Sequence, residues 1–418
     1  MQKSASSPFN GKLNPFPFYS NMRKSNPVEY NDKADLWNAY RYDDVKKILT
    51  NHVDFSSDFT KASPPLPPSS SSSSSSAPRP TQSQEGPFRR TLISTDPPLH
   101  RYLRGTISSA FSATTIERLE PRIRDIANDM IDKVIEKGSM DLVRDFSYPL
   151  PVTVIAELLG IPSKDRDLFK RWADELLKSI DEAVETGGRR NNDKMQQLQK
   201  EMDDYFLNVI AEKRKKPGQD LVTQLINAET DKIKLSQDDI LSFCALLLQA
   251  GHLTTVNLIN NCMWSLLEHP QQLVKLKNNL SSLLTSAIEE TLRYRSPVQA
   301  LVRFATKDVQ VGGRTIKSGQ RIIPWIGSAN RDEAVFGNPE EFDITRGPNP
   351  HIAFGAGIHL CLGAPLARLE SHVAMEILLS RLQDLEFGDD PRNFEPIDGS
   401  LFLYGVKSLP LLFKARQH

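Results

Sequence analysis

The segment His351–Gly363 reads HIAFGAGIHLCLG and restricts the fold more than any other stretch of the chain. It sets one cysteine, Cys361, among glycines and directly ahead of a helical pattern that runs from Ala364 to Leu382. A thiolate is the ligand or nucleophile form of cysteine, and it needs stabilisation. A helix start supplies it through unpaired N–H groups and the positive end of the helix dipole. Gly355, Gly357 and Gly363 permit backbone angles that are strained for other residues and let N–H groups approach the sulfur. The fold must therefore hold a tight glycine loop against the start of a helix.

The other cysteines, Cys244 and Cys262, lie far away on a helical pattern and read as core residues. Three cysteines make no disulfide framework, and a reducing compartment fits. One cysteine cannot build a closed zinc site, which takes four ligands. A lone thiolate suits a metal held mainly by something else, such as a porphyrin.

Charge excludes some partners. Lys plus Arg and Asp plus Glu both number 52, so nothing global argues for nucleic acid or an anionic membrane. With 39% apolar and 25% charged residues the chain can bury a large core. No stretch reads as apolar enough over the roughly 20 residues that a bilayer requires. The opening MQKSASSPFNGKLNPFPFYS lacks a signal-peptide core. The expectation is an unanchored, cytoplasmic protein.

Helical spacing dominates from Asp96 to about Leu292, after a short helix at Asp43–Thr50. Runs are expected over Leu99–Phe111, Ile116–Glu136, Val152–Leu159, Lys164–Ala183 and Asp193–Lys215, the last two parted by Gly187-Gly188. Ser236–His269 is the longest, opened by a Ser236/Asp239 capping box and stopped by Pro270. As one helix it would be about 50 Å long. The period switches to two between Val298 and Ile326, with a turn at Gly312-Gly313, and the last thirty residues read as short strands. The expected architecture is mainly α with a small β portion, one domain over 1–418. Residues 62–86 form a low-complexity Pro/Ser loop within it, holding eight consecutive serines, Ser69–Ser76.

The run Phe354-Gly355-x-Gly357-x-His359-x-Cys361-x-Gly363 resembles the haem-binding signature of the cytochrome P-450 superfamily, six fixed positions in ten residues. Glu290-x-x-Arg293, with Arg346 as its later partner, resembles the family's structural Glu-x-x-Arg motif. Ala250-Gly251-His252-Leu253-Thr254-Thr255 resembles its oxygen-activation motif, with Leu253 where the family has an acid. The likeness runs from about residue 15 to the end and is closest to soluble prokaryotic members.

What the resemblance implies is specific. The fold would be the triangular, mainly α cytochrome P-450 prism. Cys361 would be the axial ligand of haem b. His100 and Arg104, four apart on one helix face, would join Arg303 and His359 on the haem propionates, with Phe354, Gly355 and Ala250 beside the ring. Gly251 would admit the macrocycle or dioxygen, and Thr254 and Thr255 would organise protonation. Leu253 removes the usual proton source; His252 could titrate near neutrality but points about 100° away around the helix, and a water chain or a substrate hydroxyl could serve instead. Ala250, Leu253, Ala300 and Leu301 would line an apolar pocket for a fatty acid, terpene or polyketide-like substrate. Without a flavin or nicotinamide fingerprint, electrons would come from a separate ferredoxin-type or flavodoxin-type donor. The expected protein is a monomeric monooxygenase; a peroxide-dependent peroxygenase and a non-catalytic haem sensor stand as alternatives.

Overall fold

A helix that is buried all round must run through the middle of a molecule. In the computed structural model of the chain, that helix is Leu253–Glu268, with all but three of its sixteen residues buried. Helices Leu280–Tyr294, Ala364–Arg381 and Pro270–Asn278 pack against it. The structure describes residues 13–61, 91–108, 111–165, 167–169, 171, 172, 175, 192–230, 233–397 and 402–416. The Pro/Ser loop at 62–86 and the Gly187-Gly188 pair lie outside the described residues.

The β portion is small, as the sequence suggested. One five-stranded sheet runs in the order Val28–Asn31, Leu36–Ala39, Arg321–Pro324, Arg303–Ala305, Phe55–Ser56. Its one parallel pairing joins Leu36–Ala39 to Arg321–Pro324. Beneath it Tyr42–Thr50 closes a second, smaller core with Val45, Ile48, Ile322 and Phe336. The predicted turn is present: Val309–Val311 pairs with Arg314–Ile316 across Gly312 and Gly313, at φ +52° and +78°. Two successive residues at positive φ make the tight hairpin turn whose twist matches its strands. Leu382–Phe387, Pro410–Ala415 and Ser139–Asp141 form a three-stranded sheet.

Three expectations change. Residues 116–136 hold two helices, Ala113–Glu117 and Glu120–Asp132, since Pro121 suits a first helical turn and not an interior. The long helix is also two, Gln237–Ala250 and Leu253–Glu268, interrupted at Gly251 and His252. Its predicted capping box is intact, with Ser236 Oγ accepting from the Asp239 N–H and Asp239 accepting from the Ser236 N–H. Finally, Gln237–Glu268 does reach the length and hydropathy of a membrane span, against the sequence reading, but 61% of that window is buried inside the protein. It is a core element. Cys244 and Cys262 are core residues as expected, and burial pushes both thiols up to about 12.

Candidate active site

The cysteine loop is built by the backbone. The Cys361 N–H donates to the Phe354 carbonyl at 2.9 Å, closing the loop on itself. Gly355 and Gly357 take φ of +76° and +71°. At Gly357 a Cβ would also lie 2.9 Å from the Leu49 carbonyl oxygen, so the loop rests directly on the end of Tyr42–Thr50. Cys361 keeps accessible surface although protein surrounds it on most sides, so its thiol opens into a recess. Burial pushes the thiol up; the Gly363 N–H, the Arg104 guanidinium and the Ala364 N–H pull it the other way. The helix start thus offers the sulfur the donors that the sequence pattern promised.

Behind the loop stands the Glu-x-x-Arg pair. Such a pair at i,i+3 is usually a solvated surface feature, but here both side chains are 0% exposed. Arg293 holds Glu290 with two bonds of 2.8 Å, and Arg346 Nε reaches both carboxylate oxygens at 3.1 Å. The remaining Arg293 donors go to the carbonyls of Asn330, Pro339 and Glu341. Asn330 in turn accepts the Ile352 N–H at 2.8 Å and ties the network to the loop.

A second support escaped the sequence reading. Arg368 grips Glu289 at 2.6 and 2.8 Å, and His351 adds a bond of 3.0 Å. Against burial, which would raise it, bonds from Arg368 and His351 hold the Glu289 carboxyl at about 2. The Arg368 guanidinium also lies 4.5 Å from the centre of the Phe354 ring and lowers the Cys361 thiol. The available signal was position: Arg368 follows Cys361 by seven residues on the helix the loop feeds.

His100, Arg104, Arg303 and His359 come from three distant segments and meet. The His100 and His359 rings are 4.3 Å apart, edge to face, and the Nε2 of each is buried without a hydrogen-bond partner. Arg303, only 6% exposed, donates to the carbonyl of its neighbour Val302. Arg104 donates to the Leu360 carbonyl at 2.7 Å. Burial, then Arg303 and His100, press His359 down to about 3. Burial and Arg104 lower His100, and burial lowers Arg303 to about 10. Asp96, one turn before His100, is already engaged by Lys61, Ser56 and the Ser57 N–H. The result is a cluster of two arginines with two buried imidazole nitrogens that have no partner, and the paired carboxylates of a haem fit it.

The helix interruption holds the third group. Thr254 and Thr255 hydroxyls donate back to the carbonyls of Ala250 and Gly251, at 3.0 and 3.4 Å. Leu253 is buried, and so is Ala300, while Ala250 is exposed. Gly251 is also constrained by its immediate surroundings. A Cβ there would meet the Leu247 carbonyl oxygen of the preceding helix at 2.6 Å and Ile155 Cδ1 at 2.9 Å, so a side chain would collide with backbone and press on Pro149–Leu158. His252 is 2% exposed, and its Nδ1 is 2.6 Å from the Leu248 carbonyl oxygen.

The family model for cytochrome P450 matches residues 69–403. The chain belongs to the cytochrome P450 family. Cytochrome P450 109 of Bacillus spizizenii is 39% identical over 404 residues, 96% of this chain and 92% of that one. The polyketide biosynthesis cytochrome P450 PksS of Bacillus subtilis is 40% identical over 321 residues, 77% of each chain. Among solved structures, CYP109E1 from Bacillus megaterium in complex with testosterone superposes with a TM-score of 0.81 at 37% identity, covering 96% of this chain and 99% of its own. The fold is therefore the P450 fold, and P450 membership implies a haem-thiolate monooxygenase that takes a substrate, dioxygen and a redox partner. A cavity of about 740 Å³ between Phe16, Trp264, Tyr294, Arg295, Arg331 and Tyr404 contains none of the residues that mark the P450 site.

Proposed function

We propose that this cytochrome P450, acting as one domain, binds haem b on Cys361 and inserts oxygen into an apolar polycyclic or polyketide-like molecule with electrons from a separate ferredoxin-type or flavodoxin-type donor. The observation that carries the reading is the convergence of two unpartnered buried imidazole nitrogens and Arg303 beside the cysteine loop. When bound, haem supplies the activation of dioxygen. His100, Arg303 and His359 would hold its carboxylates, and Arg104 would divide its donors between them and the Leu360 carbonyl. The Gly363 and Ala364 N–H groups would keep the sulfur anionic and tune its donor strength. Ala250, Leu253, Ala300 and Leu301 would exclude water and orient an apolar ligand, with the Thr254 hydroxyl as the proton-bearing group at Oγ1. A relative crystallised with testosterone and another named for polyketide biosynthesis support this substrate class.

The test is spectroscopic. Reduced protein under carbon monoxide should give the red-shifted Soret band of a thiolate-ligated haem. Cys361→Ala should abolish that band with the far-ultraviolet circular dichroism unchanged, and a retained band overturns the assignment.

A second reading, a peroxide-dependent peroxygenase, is favoured by Leu253 at the acid position. Product formation with hydrogen peroxide should fall well below that with a ferredoxin system; peroxide-only turnover would reverse the order of the two readings.

A further inference from the structure

The interruption of the central helix needs something to hold it open. A run of helix formers on both sides, with no proline, would close into one ladder of backbone bonds if nothing competed. At the break, three carbonyls are instead met by side chains: Leu248 by His252 Nδ1, Ala250 by Thr254 Oγ1, and Gly251 by Thr255 Oγ1. The two threonine bonds are the ordinary i to i−4 back-bonds that also occur in unbroken helices. The histidine bond is different. Leu248 O is the acceptor that the His252 N–H would use in a continuous helix, and the imidazole takes it at 2.6 Å.

A carbonyl oxygen can only accept, so Nδ1 must carry the proton. The ring is 2% exposed and turns an edge to Tyr148, 5.9 Å between ring centres. It is therefore boxed in, and its bond to Leu248 is shielded from competing water. Gly251 contributes the space, because its missing side chain lets the break lie against Ile155.

We propose that His252 is a positioning residue: its Nδ1–H occupies the Leu248 carbonyl, keeps the helix open at Gly251 and His252, and so fixes where Thr254 and Thr255 stand. This rests on the monooxygenase reading above and assigns His252 no contact with substrate. In a chain with Leu253 at the acid position, the open break is also where water can reach the Thr254 hydroxyl. Proton supply then depends on the shape of the helix and not on a carboxylate.

The experiment uses the haem-loaded enzyme. In the diamagnetic ferrous carbon monoxide form, ¹⁵N-histidine spectra should show one imidazole with a protonated Nδ1 that disappears in His252→Asn and His252→Leu. An unprotonated Nδ1 at His252 overturns the proposal even if no variant folds. His252→Leu should slow hydrogen exchange across residues 248–256 about tenfold as the ladder closes, roughly the 1.4 kcal/mol of one net hydrogen bond. It should also divert electrons to hydrogen peroxide, lowering kcat with KM unchanged. His252→Asn, whose Nδ2 can stand in for Nδ1, should restore both. Exchange and coupling unchanged in His252→Leu, or no rescue by asparagine, would sink the idea. A wild-type protein without the red-shifted carbon monoxide band would instead remove the underlying reading, so the two failures are distinct.

Discussion

Arg293 and Arg303 stand ten residues apart in the chain, and both are buried, at 0% and 6% exposure. Every N–H of Arg293 has a partner, two on Glu290 and three on backbone carbonyls. Arg303 donates to the Val302 carbonyl beside two imidazoles whose Nε2 atoms have no partner. The same guanidinium chemistry thus appears once complete and once waiting. A network that satisfies itself can be optimised for folding. A cluster that leaves donors orphaned costs stability in the free protein and recovers it when an anion arrives. Satisfaction, more than burial or charge, separates the scaffold of this site from the residues proposed to hold its ligand.

That contrast can be broken in order of expected effect. Glu290→Ala leaves Arg293 and Arg346 as uncompensated charges around a buried hole, and should cost about 3–5 kcal/mol in urea unfolding, enough to deplete folded protein. A loss under about 1 kcal/mol would show that the network is not the scaffold it resembles. Arg303→Leu should do the reverse. The unfolding midpoint of the haem-free protein should hold or rise, while transfer of haem to an acceptor protein speeds up about tenfold, the equivalent of roughly 1.4 kcal/mol. An equal loss in both forms would return Arg303 to the scaffold.

Acid should also separate the two regions. His359 lies near 3 in the folded protein against an ordinary 6.5. The unfolded chain therefore takes up this proton first, and haem-free stability should decline as pH falls from about 6.5 toward 3, by up to about 1.4 kcal/mol per unit. Glu289 lies at about 2 against 4.5, so its contribution is intact above 4.5 and disappears only below it. Denaturation midpoints at pH 7, 5.5 and 4.5 should fall in wild type and flatten in His359→Leu. Identical slopes would show that His359 is not the group responsible.

Sequence revealed these regions unequally. Cys361 was legible because a glycine-rich turn, a thiol and a helix start all bear on ten residues. Glu290, Arg293 and Arg346 are legible as partners, although a charged i,i+3 pair usually lies on a solvated surface; their burial is decided by segments 37 to 56 residues away. Glu289, His351 and Arg368 do not stand out as partners, because three segments must fold before they touch; only the position of Arg368 after the cysteine loop hints at its role. The break at Gly251 and His252 was read through as continuous helix. Apolar periodicity persists across it, and the proposed cause is one imidazole bond that no pattern encodes.

Gly357 has a consequence in time as well as space. Its lack of a side chain lets the cysteine loop settle on Leu49 and Thr50, three hundred residues earlier in synthesis. Arg104 likewise reaches Leu360 across 256 positions. Contacts of such long sequence separation form late, since each must first close a large loop of chain. The surroundings of Cys361 therefore come into being only when nearly everything else is in place, and cofactor capture should mark the last stage of this protein's maturation.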